Sequence, residues 1–368
     1  MVRPKILKFG KTTAVYGFGN IIQKMTAFFL IPLYTKYLSL SEVGSLALIE
    51  LLESFLLLVL LSGLIQSVWK RIGLSDKNEK NKIIFSAWIG LLLSASIIST
   101  LLIMYPKSLE SFLGLDYPAY EGLFQLVILG IFFQVNGQFL LHQLQFENKS
   151  LHYIIYSLIQ LVLILGLSVY LTVFDDMGIH GIVYAKVIIL AGSFVYSAFY
   201  ILLNFFSLPS ISIFKQLIMF GIPFILFGLA TPILTLSDRF FLNMFVPLSL
   251  IGIYSINYKF GMMINMFVII PIQRGLLPMI YKEGLRDEMK PIYKDILFYY
   301  LIIGCLFILG ITFFIKPFIG FVSSAEYLEA AYVVPFVAAA YLIAGFRPFF
   351  TPLVALKDRT DLLGKAAI

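Results

Sequence analysis

Apolar runs of about twenty residues recur along the whole sequence, and no other feature restricts the fold as strongly. A helix rises about 1.5 Å per residue, so each run matches the roughly 30 Å of hydrocarbon in a bilayer. About ten can be marked, over residues 12–35, 44–69, 83–105, 121–141, 151–173, 181–204, 216–238, 251–273, 296–315 and 329–352. They are continuous and do not alternate polar with apolar, which excludes a β-barrel and predicts an all-α integral membrane protein. The composition agrees: 60% hydrophobic and 13% charged residues leave too little polar surface to cover a soluble core.

The net charge of +7 would suggest nucleic acid in a soluble protein. Here about 19 Lys and Arg fall on segments sharing a side with the N-terminus, against about four on the other side. Positive charge therefore orients the chain, with its N-terminus cytoplasmic, and no nucleic-acid partner is expected. The first run follows Arg3, Lys5, Lys8 and Lys11, but it is too long for a signal peptide and lacks a small-residue cleavage site, so it reads as a retained span.

The lone Cys305 and the scattered His142, His152 and His180 offer no metal cluster. No Gly-x-x-x-x-Gly-Lys-Ser/Thr loop occurs, and Gly17-Phe-Gly19 suits close helix packing better than a nucleotide. The longest segments between spans, such as 275–295, leave no room for a catalytic domain. No cofactor is called for, and the chain is expected not to be an enzyme.

Leu40-Ser41-Glu42-Val43-Gly44 recurs as Leu248-Ser249-Leu250-Ile251-Gly252, an offset of 208 residues. This predicts two pseudo-repeated lobes in the same orientation, a six-helix N-lobe over 1–208 and a C-lobe over 209–368. Twelve spans at that period need roughly 410 to 420 residues, so the C-lobe is expected to lack its last two helices.

The segment Ile31-Pro-Leu-Tyr-Thr-Lys-Tyr-Leu-Ser-Leu-Ser-Glu-Val-Gly44, then Phe220-Gly-Ile-Pro223, Ser237-Asp238-Arg239-Phe240 and Ile251-Gly-Ile-Tyr-Ser-Ile-Asn-Tyr-Lys259 occur in a fixed order. In that order and spacing they resemble the polysaccharide transporter family, the O-antigen and capsule repeat-unit flippases of the multidrug, oligosaccharidyl-lipid and polysaccharide exporter superfamily. The resemblance implies two six-helix lobes facing a central cavity that opens alternately to either side of the bacterial inner membrane. It implies a polyprenyl-diphosphate-linked oligosaccharide as substrate, with membrane lipids and a polysaccharide polymerase as partners.

A charge near the bilayer centre costs about 2.5 to 3.5 kcal/mol, so each needs a partner, a wet cavity or an escape route. Lys24 shares a polar helix face with Asn20 and Gln23. It lies within about 5 Å of the depth of Glu53; it either pairs with Glu53 or faces the cavity, where the resemblance gives it the pyrophosphate to bind. Asp238 and Arg239 are neighbours about 100° apart, so one ties helices together while Arg239 either enters the cavity or snorkels to headgroups.

Lys259 stands beside Met262, Met263 and Met266, as a cavity cation or a partner of Asp238. Lys186 and Arg347 lie near span ends, where snorkelling explains them. Pro223, Pro232 and Pro271 are expected to kink their helices.

Charge sign separates the superfamily branches, since carriers of organic cations need carboxylates and carriers of anions need Lys and Arg. Mostly basic embedded residues favour an anionic glycolipid. Glu50 and Glu53 keep a multidrug exporter open, as the superfamily keeps open a peptidoglycan-precursor flippase. A membrane enzyme of polysaccharide assembly is the alternative of another class.

Overall fold

The computed structural model describes residues 28–72, 75–107, 111, 113–115, 122–147, 149–273, 276, 287–347 and 349–350. All its regular elements are helical: α1 Ile31–Tyr37, α2 Leu40–Ile72, α3 Lys77–Met104, α4 Leu123–Phe146, α5 Ser150–Val169, α6 Gly178–Phe205, α7 Ile211–Leu242, α8 Leu248–Gly261, α9 Lys290–Val322 and α10 Val333–Ala344. Among the described residues seven helical segments are long and apolar enough to cross a membrane, with α10 and Ile211–Ile225 as shorter apolar helices. The chain is a multi-pass membrane protein. Exposed Leu93, Ile97 and Leu101 on α3, and Leu306, Phe313, Phe314 and Phe321 on α9, form the apolar exterior that hydrocarbon requires.

Residue contacts divide the chain into two compact units, Met1–Ile251 and Gly252–Ile368. This division differs from the 208/209 boundary of the internal repeat, because α7 lies along α2 in the most extensive helix pairing and also packs on α3. The α2–α7 approach depends on two glycines: a Cβ on Gly63 would sit 2.3 Å from the Gly221 carbonyl oxygen. Lys70 then rests 4.1 Å from the centroid of the Phe220 ring, and Arg71 donates to the Gln216 side chain.

In the first unit the starts of α2, α3 and α7 are fixed by side-chain caps. Ser39 and Glu42 form a capping box on α2, with the Ser39 N–H donating to Glu42 Oε2 at 2.8 Å. Glu42 Oε1 also accepts from the Ile179 N–H of α6 at 3.2 Å, tying the starts of the two helices together. Asp76 accepts from Glu79 N–H at the start of α3, and Ser210 from Ile213 N–H at the start of α7. The ends of α3, α4 and α5 nearest these latter caps meet in a cluster where Lys80 and Lys149 hold Glu147 at 3.0 and 2.8 Å. Burial pushes the Glu147 carboxyl up, but hydrogen bonds from Lys149 and Lys80 outweigh it and bring the group below its ordinary value.

In the second unit, Tyr300 of α9 donates to the Leu342 carbonyl and packs with Ile264, Val268, Ile269 and Ala338. Buried Asn257 of α8 donates to the Tyr327 carbonyl at 2.8 Å. A π turn at Asn265–Ile269 precedes Pro271, whose missing N–H opens the helical ladder there. Proline also occurs inside α9, at Pro317.

Candidate functional site

Four helices of the first unit turn polar faces toward one another. On α2 the sequence places Glu50, Glu53, Ser54 and Leu57 at helical spacing, and α4 does the same with Gln134, Gln138 and Leu141. Ser157, Gln160, Leu161 and Ile164 follow on α5, and Ile182, Lys186 and Leu190 on α6. Together with Leu30, Tyr34 and Gly137 they enclose a cavity of about 310 Å³. A second cavity of about 40 Å³ shares Tyr34, Glu50, Glu53, Ile182 and Lys186 with the first, so these residues form the wall between them.

The wall is held by an ion pair in which Lys186 Nζ donates to Glu53 Oε2. Glu53 lies thirteen residues after Leu40 and Lys186 eight after Gly178, a difference of about 7 Å in rise that the lysine stem spans. The Glu42 bridge between the two helix starts sets that common level. Lys186, whose position near a span end suggests snorkelling, is instead an interior cation with its side chain 30% exposed, while that of Glu53 is 11% exposed. The reason is proximity: the polar head finds a carboxylate on the neighbouring helix before it reaches the end of its own.

Gln134 contributes a side-chain carbonyl oxygen that is buried and accepts no hydrogen bond among the described residues. Gln160 donates to Ser193 Oγ at 3.3 Å, and Ser157 returns its hydroxyl proton to the Tyr153 carbonyl of the preceding turn. Among the described residues the cavity carries two carboxylates, one ammonium, three primary amides, two serine hydroxyls and the Tyr34 phenol alongside apolar side chains. It can hydrogen-bond polar solutes in either sense.

Lys24, Asn20 and Gln23 lie outside the described residues, as does the side chain of Pro232. Arg239 is buried, with 4% exposure, and folds back so that Nη1 meets Asp238 Oδ1 at 3.0 Å. A guanidinium on a long stem reaches a neighbour about 100° round the helix, so the two residues can bond each other as well as adjoining elements. Protein encloses this cation, in place of the headgroup region that snorkelling would give it. Lys259 is half-buried in the last turn of α8, in the second unit.

The description "polysaccharide biosynthesis protein" belongs to the family whose pattern matches residues 9–283. The chain belongs to that family. No curated protein matches it by sequence. Among solved structures, an inward-facing multidrug resistance MATE family transporter of the MOP superfamily is similar, with 15% identity over 92% of this chain and 82% of that one, at a TM-score of 0.74. The lipid II flippase MurJ in an inward closed conformation shares 15% identity over 93% and 79% of the two chains, at a TM-score of 0.72. The family member described here therefore has the fold of the multidrug, oligosaccharidyl-lipid and polysaccharide exporter superfamily.

Gln134, Gln138 and Gln160 are absent from the sequence-based candidates. Their signal was present in the sequence: amides four residues apart in an apolar span share one helix face. A search confined to formal charges passes over them, although an uncharged amide in hydrocarbon also needs a partner.

Proposed function

We propose that this member of the polysaccharide biosynthesis family is a flippase that carries polyprenyl-diphosphate-linked oligosaccharide repeat units across the bacterial cytoplasmic membrane by alternating access. The observation that carries the reading is the hydrophilic cavity of α2, α4, α5 and α6, built into helices that otherwise present hydrocarbon-compatible surfaces. A flippase must give a diphosphate and several sugars a polar route while the polyprenyl tail stays in lipid. Lys24, Arg239 and Lys259 are the cations proposed to meet the diphosphate, with Asn20, Gln23, Glu53 and Asp238 as the accompanying polar and ionic groups. The chain acts as a transporter without covalent chemistry, its N-terminus is cytoplasmic, and a polysaccharide polymerase takes up the product.

The carboxylates Glu50 and Glu53, which line the cavity among the described residues, favour a second reading, an exporter of organic cations. The family's polysaccharide description and the likeness to a lipid II flippase weigh for the lipid-linked saccharide. The two are separated by expressing the full chain in a strain lacking its repeat-unit flippase. Restored surface polysaccharide, lost on Lys24→Ala or Lys259→Ala at equal membrane abundance, is the expected result. Raised resistance to cationic dyes with no surface polysaccharide would establish the second reading instead.

A further inference from the structure

We infer that the ion cluster where the start of α3 meets the end of α4 and the start of α5 binds the phosphate of an anionic phospholipid. The site does not depend on what the chain transports. Charge is the first reason. Glu147 lies between two ammoniums, with Lys80 Nζ at 3.0 Å and Lys149 Nζ at 2.8 Å, so the three groups keep one positive charge. Burial works against the Lys149 ammonium, but hydrogen bonds with Glu147 and Tyr200 outweigh it and raise the group above its ordinary value. The excess therefore persists at neutral pH.

The neighbourhood adds to this charge. At the same helix ends of the first unit the other acids are Asp76 and Glu79, against Lys70, Arg71, Lys77, Lys82 and Lys215. Asp76 already accepts from the Glu79 N–H. Residues 1–27 contain no Asp or Glu, and Glu110, Asp116 and Glu121 fall between the opposite ends of α3 and α4. The unit's remaining carboxylates lie within the spans or at those opposite ends, so none of them is available to the cluster.

The second reason is the supply of donors. Lys149 Nζ also donates to the Tyr200 hydroxyl oxygen at 2.7 Å, which leaves the Tyr200 proton to give. The side chains of Lys149 and Lys80 are 44% and 26% exposed, open enough to share their ammoniums with a further acceptor. A phosphate takes several such charge-assisted bonds at once. The Phe146 and Phe205 rings, 5.7 and 5.9 Å from Lys80 Nζ, and the Tyr200 ring, 5.3 Å from Lys149 Nζ, hold both ammoniums in place. The third reason is what lies alongside. Exposed Leu151, Ile155 and Ile159 follow one another at turn spacing on α5, as do Val195, Phe199 and Leu203 on α6. Acyl chains attached to the phosphate would lie on this surface, whereas a soluble anion would leave it unused. A zwitterionic headgroup brings an ammonium of its own toward the two lysines, so a lipid of net negative charge fits better.

The test uses the full chain in phosphatidylcholine nanodiscs holding a trace of phosphatidylglycerol with a photoreactive acyl chain, displaced by unlabelled phosphatidylglycerol or phosphatidylethanolamine. In the wild type the label is expected to crosslink to α5 or α6. Phosphatidylglycerol should displace it about fivefold better, the ~1 kcal/mol of one charge at a membrane surface. Lys149→Gln removes the excess charge and should abolish that preference, while Glu147→Gln takes the three groups from one positive charge to two and should raise it at least threefold. Both variants break the cluster, so a merely structural role would move both the same way. Lys82→Gln, which removes a charge from the same face outside the cluster, should leave the preference unchanged. Equal displacement by the two lipids in the wild type, or a change in Lys82→Gln as large as in Lys149→Gln, overturns the site, as does a shift of Lys149→Gln and Glu147→Gln in one direction. Displacement by polyprenyl diphosphate at lower concentration than by phosphatidylglycerol overturns the phospholipid assignment and makes the cluster a dock for the transported lipid.

Discussion

Glu53 and Lys186 show how a single buried charge constrains its surroundings. Desolvation of both ions is offset only while each keeps the other, so the pair matters most when one member is removed. Lys186→Met is expected to destabilise the protein by roughly 2 kcal/mol, below the usual range of about 3–5 because the ammonium is partly open to the cavity. Glu53→Gln combined with Lys186→Met should recover most of that loss, since no charge is then stranded. Thermal unfolding of the four proteins in detergent measures the cycle; a Lys186→Met midpoint equal to the wild type would show that the pair contributes nothing to folding. Glu53 was legible in the sequence as a carboxylate inside an apolar run. Its partner was not, because depth along each helix limits the candidates but does not reveal which helices are neighbours; depth pointed to Lys24, while Lys186 read as a cation near its span end.

At the level of helices, the decisive contact is the one between α2 and α7. Phe220-Gly-Ile-Pro223 attracts notice as a motif, and the structure gives its first two residues separate physical tasks. Phe220 receives the Lys70 ammonium on its ring, and Gly221 lets the two backbones touch at Gly63. Either glycine changed to Ala puts a methyl group within 2.3 to 2.6 Å of backbone carbonyl atoms on the other helix; backbone cannot swing aside as a side chain can, so the helices must separate. Gly63→Ala and Gly221→Ala should each lower stability by about 1–3 kcal/mol, whereas Gly192→Ala, which meets nothing within 4 Å, should be neutral or slightly stabilising. Thermal midpoints of the three variants check this, and equal values for all three would refute the close crossing. Gly63 forms a small-x-x-x-small pair with Ser67, whereas Gly221 has no such partner, so the sequence does not show that positions 63 and 221 meet. Gly17-Phe-Gly19, the pair that does suggest close packing by its spacing, lies outside the described residues.

For the whole molecule, the long apolar runs made the helical spans readable, and α2 and α8 begin at Leu40 and Leu248, the positions paired by the 208-residue offset. The grouping of spans was harder to read, since repeat boundaries follow sequence while compact units follow contact, and α7 makes its largest contact with α2. Contacts also sort the helix ends of the first unit onto two faces. Arg71–Gln216, Lys80–Glu147 and Lys149–Tyr200 bring together the end of α2 and the start of α7, the start of α3 and the end of α4, and the start of α5 and the end of α6. Glu42–Ile179 and Asn243–Leu113 lie at the opposite helix ends. The first face gathers Lys70, Arg71, Lys80 and Lys149, so the positive-inside rule predicts that it faces the cytoplasm. Cys305 is the one native cysteine, and a Cys305→Ser background allows each face to be probed by a single introduced thiol. Ser75→Cys, between α2 and α3, should react with a membrane-impermeant maleimide only after the cells are opened, and Asp175→Cys, between α5 and α6, should react in intact cells. The reverse pattern would invert the topology and place Glu42 on the cytoplasmic side, with the basic face turned outward against the rule that otherwise orients the chain.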